Sequence, residues 1–274
     1  MGFFQTSGIL NRRGFFGGAA KAFSPTDIAG LQLWLDATTG LFGATSGGNA
    51  VTTDGSAVAR WEDQSGNGRH FEQATSNNRP VLKTSIQNSK NVIRFDGSND
   101  VMSGPSALKF SYPVSIFAVV SKRGGTDYQG IYSNGILQQC TGYGLFISNT
   151  GDNSGAFSTQ VRSDASGGNV SSTNYYTGTL PLTNTFFIGA GIIDSSTNKA
   201  YFNNGSEDSI SHSIASGTPN RGVGIGARYA GTDATLPGFF MNGDIAEIIV
   251  YNSALTSSDR GLVRDYLNAK WNIY

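Results

Sequence analysis

The sequence predicts an all-β protein, an antiparallel two-sheet sandwich with one short C-terminal α-helix and an extended N-terminal arm. Three observations carry this. Short apolar stretches recur, separated by turn pairs such as Asp54-Gly55, Asn67-Gly68 and Asp96-Gly97. The stretch Gly243 to Tyr251 alternates, with Ile245, Ile249 and Tyr251 on one face and Ala246, Ile248 and Val250 on the other. A strand apolar on both sides is covered on both sides, so it belongs at the centre of a sheet. The third is the segment after Asn252-Ser253, which alone reads as helix: Thr256 caps it, Asp259 suits its first turn, and Leu262, Val263, Tyr266 and Leu267 form an apolar stripe that Trp271 extends past the helix end. Gly261 weakens that helix by roughly 1 kcal/mol relative to alanine, so it needs the sheet to lean on.

The remaining elements follow in order. Leu31, Leu33 and Leu35 alternate as a strand, with Trp34 on the other face. Val58 to Asp63 reads as a strand running into a turn, Val92 to Phe95 as a strand closed by Asp96-Gly97, and Val114 to Val120 as a buried strand. Leu145–Ile147, Phe186–Ile188, Ala200–Phe202 and Val223–Ala227 complete the series, the last with small residues where another backbone can approach. No repeat of fixed period appears.

Length and composition suit one large β domain, with 274 residues, 37 Gly and 7 Pro. Lys+Arg and Asp+Glu both number 19, so bulk charge supports neither nucleic-acid nor anionic-membrane binding. There is no run of about 18 apolar residues. The single Cys140 excludes an intrachain disulfide and a cysteine metal cluster, and it reads as an inert thiol.

Residues 1–24 stand apart from the domain, 25–274. Phe3, Phe4, Phe15 and Phe16 flank Arg12 and Arg13 among glycines. A signal peptide, a disordered tail and a retained docking arm all remain open readings. In the arm reading, the four rings and two arginines dock on a partner protein.

Five motifs occur in order: Trp34-Leu35-Asp36-Ala37; Trp61 to Gly68 (WEDQSGNG); Phe95 to Asp100 (FDGSND); Tyr201 to Gly205 (YFNNG); and Gly243 to Glu247 leading to Tyr266 to Trp271 (YLNAKW). Over roughly residues 25–274 the chain resembles a laminin G-like domain of the concanavalin A-like lectin/glucanase superfamily, in the form seen in bacterial and phage proteins. The resemblance implies a jelly-roll sandwich. It does not imply one function, since the superfamily holds lectins, hydrolases and structural modules.

A retaining glucanase of that superfamily carries paired carboxylates about 5 Å apart on alternate positions of one strand. The four glutamates here, Glu62, Glu72, Glu207 and Glu247, form no such pair, although separate strands could join Asp63 and Glu247. Glu247 reads as a structural carboxylate, and His70 and His212 as turn histidines. Asp63 and Asn67, and Asp96, Asn99 and Asp100, make two oxygen-rich loops that suit either tight turns or calcium. Tyr128, Tyr143, Tyr175, Tyr176 and Tyr229, in Gly/Ser/Asn-rich segments, are the candidates to stack on a glycan.

The expectation is a non-catalytic lectin-like protein of a virion (capsid decoration, head fibre or tail appendage), docked on other virion proteins through its arm and able to bind host-surface polysaccharide. A glycan-binding module at a bacterial surface or secreted, and a glycoside hydrolase or polysaccharide lyase on the same fold, are the alternatives. A homo-oligomer stays open, and no cofactor other than calcium is expected.

Overall fold

The computed structural model describes residues 21–125, 128–135, 141–147, 157–163, 170–175, 183–219, 221–229 and 237–274. Phe3, Phe4, Arg12, Arg13, Phe15 and Phe16 of the arm, and Cys140 and Tyr176, lie outside these residues.

In chain order the strands are β1 (Leu31–Asp36), β2 (Leu41–Phe42), β3 (Arg60–Trp61), β4 (Phe71–Glu72), β5 (Val81–Gln87), β6 (Lys90–Asp96), β7 (Met102–Gly104), β8 (Val114–Lys122), β9 (Gln129–Asn134), β10 (Gly142–Ile147), β11 (Phe157–Ser163), β12 (Val170–Tyr175), β13 (Phe186–Ile193), β14 (Thr197–Phe202), β15 (Asp208–Ser211), β16 (Val223–Ile225), β17 (Arg228–Tyr229), β18 (Pro237–Gly238) and β19 (Asn242–Tyr251), followed by helix α1 (Ser257–Trp271). The first sheet runs β15-β14-β13-β8-β19-β6-β5, with β1 also on β19; the second runs β12-β11-β10-β9-β16-β7-β4-β3-β2; β17 and β18 form a small hairpin. This is the expected antiparallel two-sheet sandwich with its C-terminal helix.

β19 lies centrally. It pairs with β8 along one edge, and on the other with β6 through Asn242–Ile245 and then β1 through Glu247–Tyr251. Its faces differ from the period-two reading. A bulge between Ile245 and Glu247 puts Ile245 with Ile248 and Val250 in the core between the sheets. Ala246 joins Ile249 and Tyr251 on the outer face, under α1. The bulge inserts one residue, so alternation restarts out of phase.

α1 covers that outer face with Val263, Leu267 and Trp271, all fully buried. Leu262, expected on the stripe, is 44% exposed, because one helical step is about 100°. Trp271 is the last helical residue, and Asn272 closes the helix in the left-handed conformation at φ 53°. Thr256 caps the start by accepting the Asp259 N–H. A Cβ at Gly261 would meet nothing, so its helix cost has no packing reason. Before β1, Ser24 and Asp27 form a capping box, and the Phe23 ring meets Tyr266 edge-on at 6.0 Å. Phe23, within the expected 1–24 arm, therefore packs on the domain.

Candidate ligand-binding face

Two groups of carboxylates are structural. Glu247, fully buried, accepts from Trp34 Nε1 at 2.7 Å, Tyr266 Oη at 2.9 Å and Trp271 Nε1 at 2.6 Å, and pairs with Lys270 Nζ at 2.8 Å. Lys270 also pairs with Asp36 at 2.6 Å. Burial raises the Glu247 pKa, and Lys270 opposes that rise. These groups pin β1, β19 and α1 together. Asp63, the other carboxylate considered for a cross-strand pair, is equally occupied: it accepts the N–H groups of Trp34, Ser65 and Arg69 and the Ser65 hydroxyl.

Both oxygen-rich loops form turns. Asn67 donates to the Leu31 carbonyl at 3.0 Å, tying its turn to β1. Asp96 Oδ1 accepts the backbone N–H groups of Ser98, Asn99 and Asp100, and Asp100 Oδ2 accepts that of Asp96. The loops sit on different parts of β19: Asp96 pairs with Asn242, whereas Asp63 bridges Leu35, the partner of Ile248. Among the described residues no three His, Cys, Asp or Glu side chains gather to hold a metal.

Asp100 borders a cavity of about 480 Å³ with Arg79, Arg94 and Arg123. Arg94 is committed to Asp244, and Arg79 to the carbonyls of Gln73 and Ala74. Burial and then the Asp96 charge push the Asp100 pKa up to about 6. A carboxyl raised above its unfolded value destabilises the fold once ionised, so this cost is absent below about pH 4 and complete above about pH 6. Asp100→Asn is therefore expected to raise the melting temperature at pH 7 and to give no gain at pH 4. Equal effects at both would refute it.

The outer face of the second sheet is different. Along β11, period two sends Phe157, Thr159 and Val161 inward and leaves Ser158, Gln160 and Arg162 outside. Cross-strand register continues this face as a row: Arg60, Glu72, Ser103, Gly224, Ser133, Gly144, Gln160 and Thr173. Every member is polar or glycine; Gly224, Ser133, Gly144 and Gln160 in the middle of the row are buried, and Arg60, Glu72, Ser103 and Thr173 towards its ends are partly or fully exposed. Among the described residues the hydroxyls of Ser133 and Ser158 and Oε1 of Gln160 are buried without a hydrogen-bond partner, which is a costly arrangement. At the Glu72 end lies a cavity of about 320 Å³ lined by Gly68, His70, Glu72, Ser103 and Pro105. His70 Nδ1 accepts the Asp63 N–H, which leaves its Nε2 as the donor.

The segment after β16 turns back over this face. Gly130 donates to the Phe239 carbonyl, and a Cβ at Gly130 would lie 2.4 Å from the Ala227 backbone, so only glycine admits the crossing. This sets Arg228 over the Phe239 ring, 4.3 Å from its centroid, with Tyr128 edge-on to that ring at 6.5 Å. Phe239 is 37% exposed and sits at φ 54°, a conformation that bulky side chains rarely hold. Burial and the nearby Arg162 guanidinium push the Arg228 pKa down to about 10.

Of the five tyrosines, Tyr128 is part of this platform. Tyr143 is a correction: it is 1% exposed in the core, accepts from Asn134 at 2.9 Å and donates to the Phe110 carbonyl at 3.0 Å. Tyr175 pairs with Ser158, and Tyr229 lies on β17, but their side chains, like the whole of Tyr176, lie outside what is described. Arg228, Phe239, Gln160 and Ser158 were not singled out in the sequence. Period two from Phe157 to Ser163 was the signal for the last two, and Phe239 stands directly after Gly238 in an aromatic pair.

Among solved structures, the chain is similar to domain 4 of AbnA, a GH43 extracellular arabinanase from Geobacillus stearothermophilus, in complex with arabinotriose, at 17% identity over 74% of this chain and 91% of that one, TM-score 0.54. It is also similar to the botulinum neurotoxin type G receptor binding domain, at 11% identity over 87% and 52%, TM-score 0.56. A third is Trypanosoma rangeli sialidase in complex with the inhibitor DANA, at 13% over 86% and 33%, TM-score 0.51. The fold they share is a β-sandwich. This chain thus spans about a third of the sialidase and about half of the neurotoxin domain. No family model and no curated protein sequence matches it.

Proposed function

We propose that this sandwich is a non-catalytic, laminin G-like glycan-binding module that holds saccharide on the outer face of its second sheet. The observation that carries the reading is the platform of Phe239, Tyr128 and Arg228, with the Phe239 ring exposed. Sugars offer C–H faces that stack on exposed rings. A bulky residue kept at φ 54° costs stability, and outliers of this kind cluster where a ligand is held. The arabinotriose bound to domain 4 of the arabinanase supports the ligand class. The enclosure of Asp63 and Glu247 by donors supports a binder over a hydrolase. Attachment to a virion rests on the composition of residues 1–24 and supplies a setting for this activity.

The test is a glycan array read with wild type and Phe239→Gly. Wild type is expected to give a reproducible hit. The variant is expected to bind about tenfold more weakly, as losing one stacking contact implies, without a lower melting temperature because the strained φ is relieved. A folded wild type that binds nothing, or a variant that binds equally well, would sink the proposal. Turnover of a polysaccharide would show an enzyme instead.

A further inference from the structure

We infer that the groove at the start of α1 is the seat of this chain's own N-terminal arm, with the Phe15-Phe16 pair supplying the ring that fills it. The inference is independent of the glycan reading and concerns the outer side of the first sheet.

A cavity of about 440 Å³ lies between the segment before β1 and the first turns of α1, and its walls include Phe23, Ile28, Leu255, Leu262, Asp27 and Asp259. Leu262 is 44% exposed there, although Val263 beside it is fully buried. A lone exposed leucine needs no explanation, but one that joins Phe23 and Ile28 in a concave apolar wall marks a surface that receives something. The rim is acidic. Asp259 accepts from the Thr256 hydroxyl at 2.8 Å and forms no ion pair among the described residues. Asp27 pairs with Lys21 at 2.6 Å.

The occupant follows from where the described chain starts. Lys21 stands two residues before Phe23, whose ring already forms part of the wall and meets Tyr266. Phe16 stands seven residues before Phe23, a reach of at most about 23 Å. Gly17-Gly18 between them permit the sharp reversal that a return to the groove needs. The arm also brings what the groove lacks: aromatic rings for the apolar wall, and Arg12-Arg13 as counter-charge for Asp259. A tether this short sets an effective concentration in the millimolar range, which favours the arm of the same chain over that of a second copy. Phe3 and Phe4, further towards the N-terminus, are left for a partner protein.

The experiment treats the full-length protein with limiting trypsin and follows cleavage after Arg12 and Arg13. Wild type is expected to be cut there about tenfold more slowly than a free peptide of residues 8–20, because cleavage tracks the population of the open form. Leu262→Asp puts a charge in the groove without touching the core, and it is expected to abolish the protection. Phe15→Ser combined with Phe16→Ser is the second variant, made in the arm itself. It is expected to speed hydrogen exchange in residues 23–29 several-fold while leaving exchange in β19 unchanged. Wild-type cleavage at the peptide's rate, equal protection in Leu262→Asp, or exchange in 23–29 that ignores the loss of both rings would each overturn the assignment. Protection that rises with protein concentration, alongside a dimer in light scattering, would give the groove to a second copy's arm and overturn it as well.

Discussion

Replacing Trp271 with alanine is expected to destabilise the domain by about 3–5 kcal/mol. The indole is fully buried beneath α1, and it donates to Glu247 at 2.6 Å. Alanine leaves a cavity and also strips a donor from an enclosed carboxylate. Trp271→Phe separates the two effects: it keeps most of the packing and loses the donor, at a cost of about 1–3 kcal/mol. Urea midpoints at constant m-value report both. An unshifted midpoint for the alanine variant would mean that α1 is peripheral to the fold.

Lys270→Met is expected to cost a similar amount, about 3–5 kcal/mol, because it abandons two carboxylates out of water. Lys270 is the cation between Asp36 at 2.6 Å and Glu247 at 2.8 Å, and it lies over the rings of Tyr266 and Trp271. Adding Glu247→Gln should return part of the loss, since the amide needs no counter-charge. The pH dependence follows from the raised Glu247 pKa. Without Lys270 that carboxyl protonates more readily still, so the penalty is greatest at neutral and alkaline pH and shrinks on acidification. A double variant no more stable than Lys270→Met would contradict this account.

Four of the five motifs that carry the family resemblance turn out to be mechanical. Trp34, Asp36, Glu247, Tyr266, Lys270 and Trp271 come from the first and last of them and meet in one cluster. The second folds back on itself around Asp63, and the third around Asp96. The scaffold was therefore readable from local pattern. The face assignment of Ile245 and Ala246 was not, because a bulge depends on which strand lies alongside. Tyr143 misled because its hydroxyl is satisfied by Phe110, a carbonyl remote in sequence. The proposed ligand face was missed for a related reason. Tyr229 and the aromatic-rich loops drew attention by composition, while Arg228 and Phe239 gain their meaning from meeting across the β17–β18 hairpin. Ser158, Gln160 and Arg162 acquire a common surface only once the strand from Phe157 to Ser163 is recognised.

The place of β19 also governs how this chain can be made. Until residues 242–251 emerge from the ribosome, β1, β6 and β8 have no common neighbour, although all three are synthesised in the first half of the chain. Their exposed backbone edges must wait through the rest of translation, at about 5–20 residues per second. Pairings this distant in sequence also slow folding, since loop closure precedes any gain from contact. The hairpin of β13 and β14 can form early and shield one side of β8, but the opposite side stays open. A chain stopped short of Asn242 would therefore present several unpaired edges at once and be prone to self-association, whereas one that reaches Trp271 closes its sheet and covers it in the same step.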